Sequence, residues 1–352
     1  MKNKIALALA SALTFSIALT GCGDSNSNSA NSNTTKASAQ SNNGPIKVKY
    51  SVTFGATGTQ ADGAHALADF IKECSNGRLI MEFYPSSQIG DKSSTFEGLQ
   101  AGTIEMTECA ASDLSAFNDM WSVFSLPYLW DTDMQAINTV QDDTVKGILE
   151  ANAEENGFKI IAWTNIGSRS VVNSKHAIKT PEDMEGLKLR CMEDPILAEA
   201  INALGAIGTP MPASEVYTAL QQGTIDGTDH TPSSVASNSW YEICDYYSLT
   251  EHFTIPDPVF VSKVWFEKLS PENQAAIIEA GKKFADKWNN EIWPSATKEG
   301  LKILKENGVE VLTVDKEPFK AKVQPMVEKF LADATDEQKK LYEVLVTARQ
   351  KY

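Results

Sequence analysis

Strand-like runs alternate with amphipathic helices along most of this chain, and this alternation constrains its fold more than any other feature. Residues 46–54 have a strand pattern, and apolar residues recur at helical spacing between Ala64 and Ile71. A strand pattern at 78–84, a helix at 92–101 and a strand at 103–109 follow in turn. Such an order predicts an α/β architecture with largely parallel sheets.

Helix start signals continue the pattern in the second half. Apolar positions from Ile137 to Leu149 predict one helix, and Ser214 is expected to cap another. Ser270-Pro271-Glu272 begins a long helix, which Pro294 should kink or interrupt. Since single cores seldom exceed about 250–300 residues, 352 residues suggest two domains. No long linker divides the chain after residue 45, so several short crossings must join these domains.

The N-terminus has the pattern of an export signal. Lys2 and Lys4 precede an apolar stretch at 5–19, which is shorter than the roughly 20 residues of a membrane span. Leu19-Thr20-Gly21-Cys22 resembles the bacterial lipobox, which implies removal of residues 1–21 and lipidation of Cys22. The alternative is an ordinary signal peptide followed by an incidental cysteine. Residues 22–45 are mostly small and polar, and we expect a flexible, lipid-anchored linker there.

Charge and motif content exclude several classes of function. A net charge of −15 argues against binding to nucleic acid. No nucleotide-binding, hydrolase or zinc-protease motif is present, so no cofactor is expected. Two carboxylates and a histidine occur within 226–230, but a ligand-contacting loop or a solvated turn is favoured there over a metal site. The spacing of Cys74, Cys109, Cys191 and Cys244 does not fit zinc; buried thiols are favoured, and disulfides stay open.

Arginine is scarce, and this scarcity draws attention to two positions. The chain has 27 lysines but four arginines, among them Arg169 and Arg190. A guanidinium group grips a carboxylate through two parallel, charge-assisted hydrogen bonds. The pattern of residues 187–191 places Arg190 near a strand end, where ligands usually bind in α/β sheets. A structural ion pair is the equally weighted alternative for either arginine.

Several segments together resemble the solute-binding proteins of tripartite ATP-independent periplasmic (TRAP) transporters, of the DctP type. The resemblance extends over about residues 46–320. The segments that carry it are 84–91 (YPSSQIGD), 125–128 (SLPY), 167–175 (GSRSVVNSK), 178–190 (IKTPEDMEGLKLR), 209–212 (TPMP), 214–223 (SEVYTALQQG) and 225–227 (IDG).

This resemblance implies a two-domain clamshell that closes on one small organic anion, with a long C-terminal helix spanning both domains. We expect domain I to comprise residues 46–166 plus 256–295, and domain II residues 167–255 plus 296–352. Arg190 occupies the position of the family arginine that holds the ligand carboxylate, and Arg169 that of a second family arginine.

The sequence departs from the family pattern at His230 and Ala213. His230 replaces an asparagine that often donates to the ligand carboxylate, and Ala213 stands where many members have an aromatic residue. Glu108 could bind a ligand hydroxyl or amine, or could simply be a carboxylate at the domain rim. Further candidates for lining the cleft are Gln88, Trp163, Tyr217, Asp229 and Trp240, with core packing as the alternative for each aromatic residue.

The resemblance therefore implies an extracytoplasmic receptor, the N-terminal pattern adds export and lipid anchoring at the outer face of the cytoplasmic membrane, and we expect a monomer. It would bind an organic acid and deliver it to TRAP permease subunits. A ligand-binding module for a sensor kinase is an alternative, because its cleft would be the same. A secreted enzyme of unknown chemistry is a further alternative, although no catalytic constellation is visible in the sequence.

Overall fold

The computed structural model describes residues 44–352, so the predicted signal peptide, Cys22 and most of the linker lie outside the described residues. The strands, in chain order, are β1 (Ile46–Ser51), β2 (Leu79–Tyr84), β3 (Met106–Glu108), β4 (Phe158–Thr164), β5 (Ser168–Asn173), β6 (Lys188–Cys191), β7 (Ile207–Pro210), β8 (Gly227–His230), β9 (Tyr246–Thr254), β10 (Asp257–Ser262) and β11 (Glu310–Thr313).

Helices connect nearly all of these strands. The α-helices are α1 (Thr59–Cys74), α2 (Lys92–Ala101), α3 (Asp133–Val140), α4 (Asp143–Glu155), α5 (Pro195–Ala203), α6 (Val216–Gln221), α7 (Pro232–Ser237), α8 (Lys263–Phe266), α9 (Pro271–Lys287), α10 (Trp293–Glu306), α11 (Glu317–Asp333) and α12 (Asp336–Ala348). Short 3-10 turns span Ala111–Ala116, Asp119–Ser125, Pro181–Met184, Ala213–Glu215, Trp240–Glu242 and Arg349–Lys351, and a π-helical segment spans Trp288–Ile292.

The strands form two mixed sheets. The first has the order β2-β1-β3-β10-β4, and the second has the order β11-β9-β5-β8-β6-β7. The α/β class is confirmed, but the sheets are not largely parallel. In the first sheet β10 runs antiparallel to both β3 and β4, and in the second β5 runs antiparallel to both β8 and β9. The reason is the chain path: β10 enters the first sheet at the end where β4 leaves it, so the two must run in opposite directions.

The chain passes between the sheets at neighbouring points. It leaves the first sheet after Thr164 and returns before Asp257, and these two residues are paired across β4 and β10. We call the residues 164–168 and 254–257 the crossing edge. Gly167 lies within it at a φ of 83°, where an added Cβ would approach the indole nitrogen of Trp293 to 2.9 Å. Glycine is required there by both conformation and space.

A third crossing runs through the long helix that begins at Ser270. Helix α9 packs on α1 and β4, whereas α10 packs on α7 and β11. Between them, Asn289 accepts a hydrogen bond from the backbone N–H of Asn165 at 2.8 Å and donates one to the carbonyl of Trp163 at 2.9 Å. The long helix is therefore bonded directly to the crossing edge.

The interruption expected at Pro294 takes the form of the π-helical segment just before it. Residues five positions apart lie on one face of a π-helix, since its hydrogen bonds run from i to i+5. Trp288 and Trp293 accordingly stack with ring centroids 5.5 Å apart and an interplanar angle of 27°. Both rings are almost fully buried.

The two last helices pack on different parts of the chain. Helix α11 lies against α5, while α12 lies against α4 and the turn at Asp119–Ser125. Leu341 and Leu345 of α12 are fully buried in that contact. The C-terminal segment thus makes contact on both sides of the crossing edge.

Two local predictions are wrong, and each has a simple cause. The helix expected through Ile137–Leu149 is two helices, because the Asp142 side chain accepts from the N–H of Thr144 and begins a new one. Ser214 does not cap α6; it lies inside the 3-10 turn that precedes Val216. Within residues 44–352, the cysteines at positions 74, 109, 191 and 244 form no disulfide with one another, and Cys191 and Cys244 are buried.

Candidate ligand-binding site

Arg190 is a buried cation without an acidic partner among residues 44–352. It lies on β6, between β7 and β8, opposite Thr209 and Thr228. Its side chain is 3% exposed, and its hydrogen bond within the described residues runs from Nε to the carbonyl of Met211 at 2.7 Å. Burial, followed by repulsion from Arg169, lowers the pKa of Arg190 to about 10. The site thus holds a desolvated positive charge whose terminal nitrogens have no acceptor in the described chain.

Arg169, in contrast, already has a carboxylate partner. Its Nε donates to Oδ2 of Asp229 at 2.5 Å, and its Nη2 donates to Oδ1 at 3.1 Å and to the Asp229 carbonyl at 2.7 Å. Both side chains are almost completely buried. A structural ion pair was the alternative role for either arginine, and Arg169 forms such a pair. Its Nη1 has no hydrogen bond to any described residue and stays available to a ligand.

Electrostatics hold the Asp229 carboxylate in its charged form. Burial alone would raise the pKa of Asp229, but the Arg169 guanidinium and the nearby His252 imidazole lower it below its ordinary value. The Nε2 atom of His252 is 3.7 Å from Oδ2 of Asp229, which is a polar contact rather than a hydrogen bond. Arg169 and Asp229 therefore form a neutralised pair beside Arg190, which has no acidic partner within residues 44–352.

His230 presents one defined nitrogen to this site. Its Nδ1 accepts a hydrogen bond from the backbone N–H of Thr231 at 2.9 Å, so in the neutral ring Nε2 carries the hydrogen. Burial and the two arginines lower the pKa of His230 well below its ordinary value, and the ring stays neutral. Trp240 packs against it, with ring centroids 5.6 Å apart. His230 can therefore donate a hydrogen bond but does not add a charge.

Glu108 lies on the first-sheet side, at the end of β3. Oε2 accepts from the Tyr50 hydroxyl at 2.6 Å and Oε1 from the Thr164 hydroxyl at 2.8 Å. Burial raises the pKa of Glu108, and these two hydrogen bonds oppose the shift. Two hydroxyl groups thus orient a half-buried carboxyl group beside the crossing edge.

The remaining predicted lining residues are exposed, bonded to another residue or packed in the core. Gln88 and Ala213 are exposed, and the hydroxyl of Tyr217 donates to Glu242 at 2.7 Å. Trp163 is 4% exposed and stacks on Trp121 at 6.5 Å between ring centroids, which is core packing. The structure brings together Arg169, Arg190, Asp229 and His230 on the adjacent strands β5, β6 and β8.

Two polar residues on the first-sheet side were missed in the sequence analysis. Asp257 is 5% exposed, Ser112 is 1% exposed, and Oδ1 of Asp257 and Oγ of Ser112 have no hydrogen-bond partner in the part of the chain described. Asp257 follows Pro256 at the return crossing, and an acidic residue at a domain crossing is the signal that could have identified it.

The described residues contain neither a candidate metal site nor a candidate membrane-spanning helix. Within 44–352 there is no group of three or more histidine, cysteine or acidic side chains that could hold a metal ion. None of the helices in this part of the chain is long and apolar enough to cross a membrane.

The sequence of this chain matches a known protein family and several of its characterised members. Residues 50–333 match the family model described as bacterial extracellular solute-binding protein, family 7 (DctP). The 2,3-diketo-L-gulonate-binding periplasmic protein YiaO of Escherichia coli is 32% identical, over 76% of this chain and 83% of its own length. The C4-dicarboxylate-binding periplasmic protein DctP of Rhodobacter capsulatus is 27% identical, over 75% of this chain and 79% of its own length.

A solved structure agrees with these relatives. The crystal structure of a TRAP periplasmic solute-binding protein from a Sulfitobacter species, with bound β-D-galacturonate, has a TM-score of 0.80 and 28% identity to this chain. The match covers 86% of this chain and 99% of the Sulfitobacter chain. The predicted two-domain clamshell is confirmed by this similarity.

Proposed function

Because the chain belongs to the family 7 (DctP) bacterial extracellular solute-binding proteins, we propose that it is the extracytoplasmic receptor of a TRAP transporter. It captures a small organic acid anion between its two sheets and delivers the anion to membrane permease subunits. It binds its ligand without chemical conversion, as expected for a receptor.

The observation that supports this proposal is the burial of Arg190 without an acidic partner among the described residues 44–352. An isolated buried charge costs several kcal/mol, and native proteins ordinarily pair such a charge. A ligand carboxylate supplies the missing partner, through the two-pronged geometry that guanidinium offers. Closure of the two domains over this pair would remove water and strengthen the attraction.

Neighbouring groups complete the proposed carboxylate site. Arg169 contributes its remaining Nη1, while its pairing with Asp229 keeps the guanidinium in place. His230 donates from Nε2, in the role the resemblance assigns to an asparagine. The order of importance that we propose is Arg190 first, with Arg169 and His230 as secondary contacts.

The relatives favour an acid as the ligand but differ in its kind. The relatives include a 2,3-diketo-L-gulonate-binding and a C4-dicarboxylate-binding protein, and the Sulfitobacter protein holds a hexuronate. What these ligands share is at least one carboxylate on a small, oxygen-rich carbon chain. We therefore propose that this chain binds a small, oxygen-rich carboxylic acid.

A thermal-shift screen tests the proposed function. We expect at least one acid, from a set of four- to nine-carbon carboxylates, to raise the melting temperature of the purified protein. A ligand at 100 times its dissociation constant stabilises the folded state by about 2.7 kcal/mol, which is readily measured. The matching amides of the same acids, which lack the negative charge, serve as controls. Equal shifts from acid and amide, or no shift from any acid, would overturn the proposal.

Membrane anchoring through Cys22 is a separate proposal, which rests on the sequence of residues 19–22. We expect the wild-type protein to partition into detergent after export, and Cys22→Ser to appear in the aqueous phase. Detergent-phase separation of cell fractions measures this. Equal partitioning of both proteins would show that Cys22 holds no lipid.

The proposed domain division follows the crossings. The strands of the first sheet lie within 46–166 plus 256–295, and those of the second within 167–255 plus 296–352.

A receptor for a sensor kinase would share this organisation, and uptake assays with the permease subunits separate the two functions. Turnover of a bound acid would instead favour the enzyme alternative.

A further inference from the structure

Two buried side-chain oxygen atoms at or beside the crossing edge lack a hydrogen-bond partner among residues 44–352. They are Oδ1 of Asp257 and Oγ of Ser112, whose side chains are 5% and 1% exposed. Leaving a buried polar group without a hydrogen bond typically costs about 1–3 kcal/mol. Two such groups in one place call for an explanation, and a ligand that bonds to both would provide one.

The backbone brings these two residues together. The N–H of Ala111 donates to the carbonyl of Pro256 at 2.9 Å, so Ser112 and Asp257 each follow a residue that this bond joins. Asp257 also begins β10, on which Val259 pairs with Glu108 of β3. Three polar side chains, on two strands and one turn, thus lie on the first-sheet side of the crossing edge.

Glu108 is already oriented for a ligand. Each of its oxygens accepts one hydrogen bond, from Tyr50 at 2.6 Å and from Thr164 at 2.8 Å. A carboxyl oxygen has two acceptor positions, so each keeps one for a further donor. The Thr164 hydroxyl also lies 2.9 Å from the backbone carbonyl of Asp257, so this one side chain of β4 is within hydrogen-bonding distance of both acidic residues.

The charge on this side is opposite to that around Arg190. Burial, together with repulsion from Glu108 and Asp113, raises the pKa of Asp257 well above its ordinary value. Of the cations that act on Asp257, Arg169 belongs to the carboxylate site, and Lys92 is bonded to Asp113 at 2.7 Å. A second ligand carboxylate would face two acidic groups here. Carboxyl groups that resist ionisation suit neutral hydroxyl groups better than an ammonium ion.

We propose that Asp257, Ser112 and Glu108 form a second subsite, which binds hydroxyl groups at the end of the ligand remote from Arg190. The ligand is then a polyhydroxylated monocarboxylate, and dicarboxylates are rejected. This inference rests on the proposed function, because Arg190 must hold the single carboxylate.

A set of six-carbon acids tests the inference on the wild-type protein. D-Gluconate and D-glucuronate carry hydroxyl groups at the far end, adipate carries a second carboxylate, 6-aminohexanoate an ammonium group, and hexanoate a methyl group. In isothermal titration calorimetry we expect at least one of the two hydroxy acids to bind at least tenfold more tightly than each of the other three. Adipate or 6-aminohexanoate binding as tightly as the better hydroxy acid would overturn the subsite, as would binding of none of the five.

Two variants locate the effect. Asp257→Ala is expected to weaken binding of the better hydroxy acid at least tenfold, and Ser112→Ala roughly three- to tenfold, as for loss of one hydrogen bond. Ser112→Ala removes a hydroxyl that has no partner in the described protein, so the melting temperature without ligand should not fall. Asp62→Ala, on the exposed face of α1, is the matched control. Unchanged affinity in both subsite variants would overturn the inference.

The same titrations separate this inference from the proposed function. If Arg190→Met abolishes binding and the subsite variants have no effect, the carboxylate site stands and the subsite is wrong. If Arg190→Met also leaves hydroxy acid binding unchanged, the proposed function itself is wrong.

Discussion

Arg190→Met is expected to weaken ligand binding at least tenfold while leaving the ligand-free protein as stable as the wild type. Removing one partner of a buried charge pair costs about 2–5 kcal/mol of binding free energy. Methionine has a similar length, and it replaces a buried cation that has no carboxylate partner within residues 44–352. Replacing a buried charge by an apolar side chain is often neutral or stabilising. Calorimetric titration and a thermal melt on the same sample measure both quantities.

The control for this prediction is Arg78→Met, the same chemical change at a distant site. Arg78 donates from Nε to Oδ1 of Asn273 at 2.8 Å, away from the crossing edge. We expect its ligand affinity to match the wild type. Arg190→Lys keeps the charge but loses the planar fork, and it should still bind several-fold more weakly. Full affinity in Arg190→Met would contradict the role of this residue.

Asp229→Asn should have the opposite signature, a large loss of stability. The change leaves the Arg169 guanidinium buried beside a neutral amide, and breaking such a pair costs about 3–5 kcal/mol. Because the folded state lowers the pKa of Asp229, the wild-type pair stabilises the protein above about pH 4 and loses this effect as the pH falls further. Urea unfolding at pH 7, followed by tryptophan fluorescence, gives the difference.

An exposed ion pair provides the comparison. Glu299 and Lys302 are 3.0 Å apart, and both side chains are more than half exposed. Glu299→Gln should leave the unfolding midpoint unchanged, because water and salt screen such pairs. If Asp229→Asn behaves like Glu299→Gln, the buried pair contributes nothing to folding.

Periodicity and capping predicted the individual elements well. The helix at 92–101 has those bounds in the structure, and Ser270 caps α9 as expected. The mixed strand directions were not predictable from local patterns, because they depend on where the chain crosses between sheets. The break between α3 and α4 depended on one side chain, Asp142, which competes with the helix backbone for a hydrogen bond.

The candidate site was predictable in part. Scarcity of arginine pointed to Arg169 and Arg190, but composition could not tell which of them has an internal partner. That distinction depends on Asp229, which is 60 residues from Arg169 in sequence and opposite Val171 on the next strand. Ser112 was missed because an unpartnered polar atom is a property of the folded surroundings, whereas Asp257 was missed although its place at a domain crossing was visible in the sequence.

The length of the π-helical segment sets the rotation of α10 about its own axis relative to α9. Each residue of an α-helix turns the chain by about 100°, so deleting one residue from Trp288–Ile292 would rotate α10 by that amount relative to α9. Gly300 of α10, which packs against the backbone of Pro232, would then face elsewhere. The number of residues in this segment is therefore a geometric parameter of the receptor. Changing it would alter how α10 packs on α7 and β11 without replacing any residue proposed to touch the ligand.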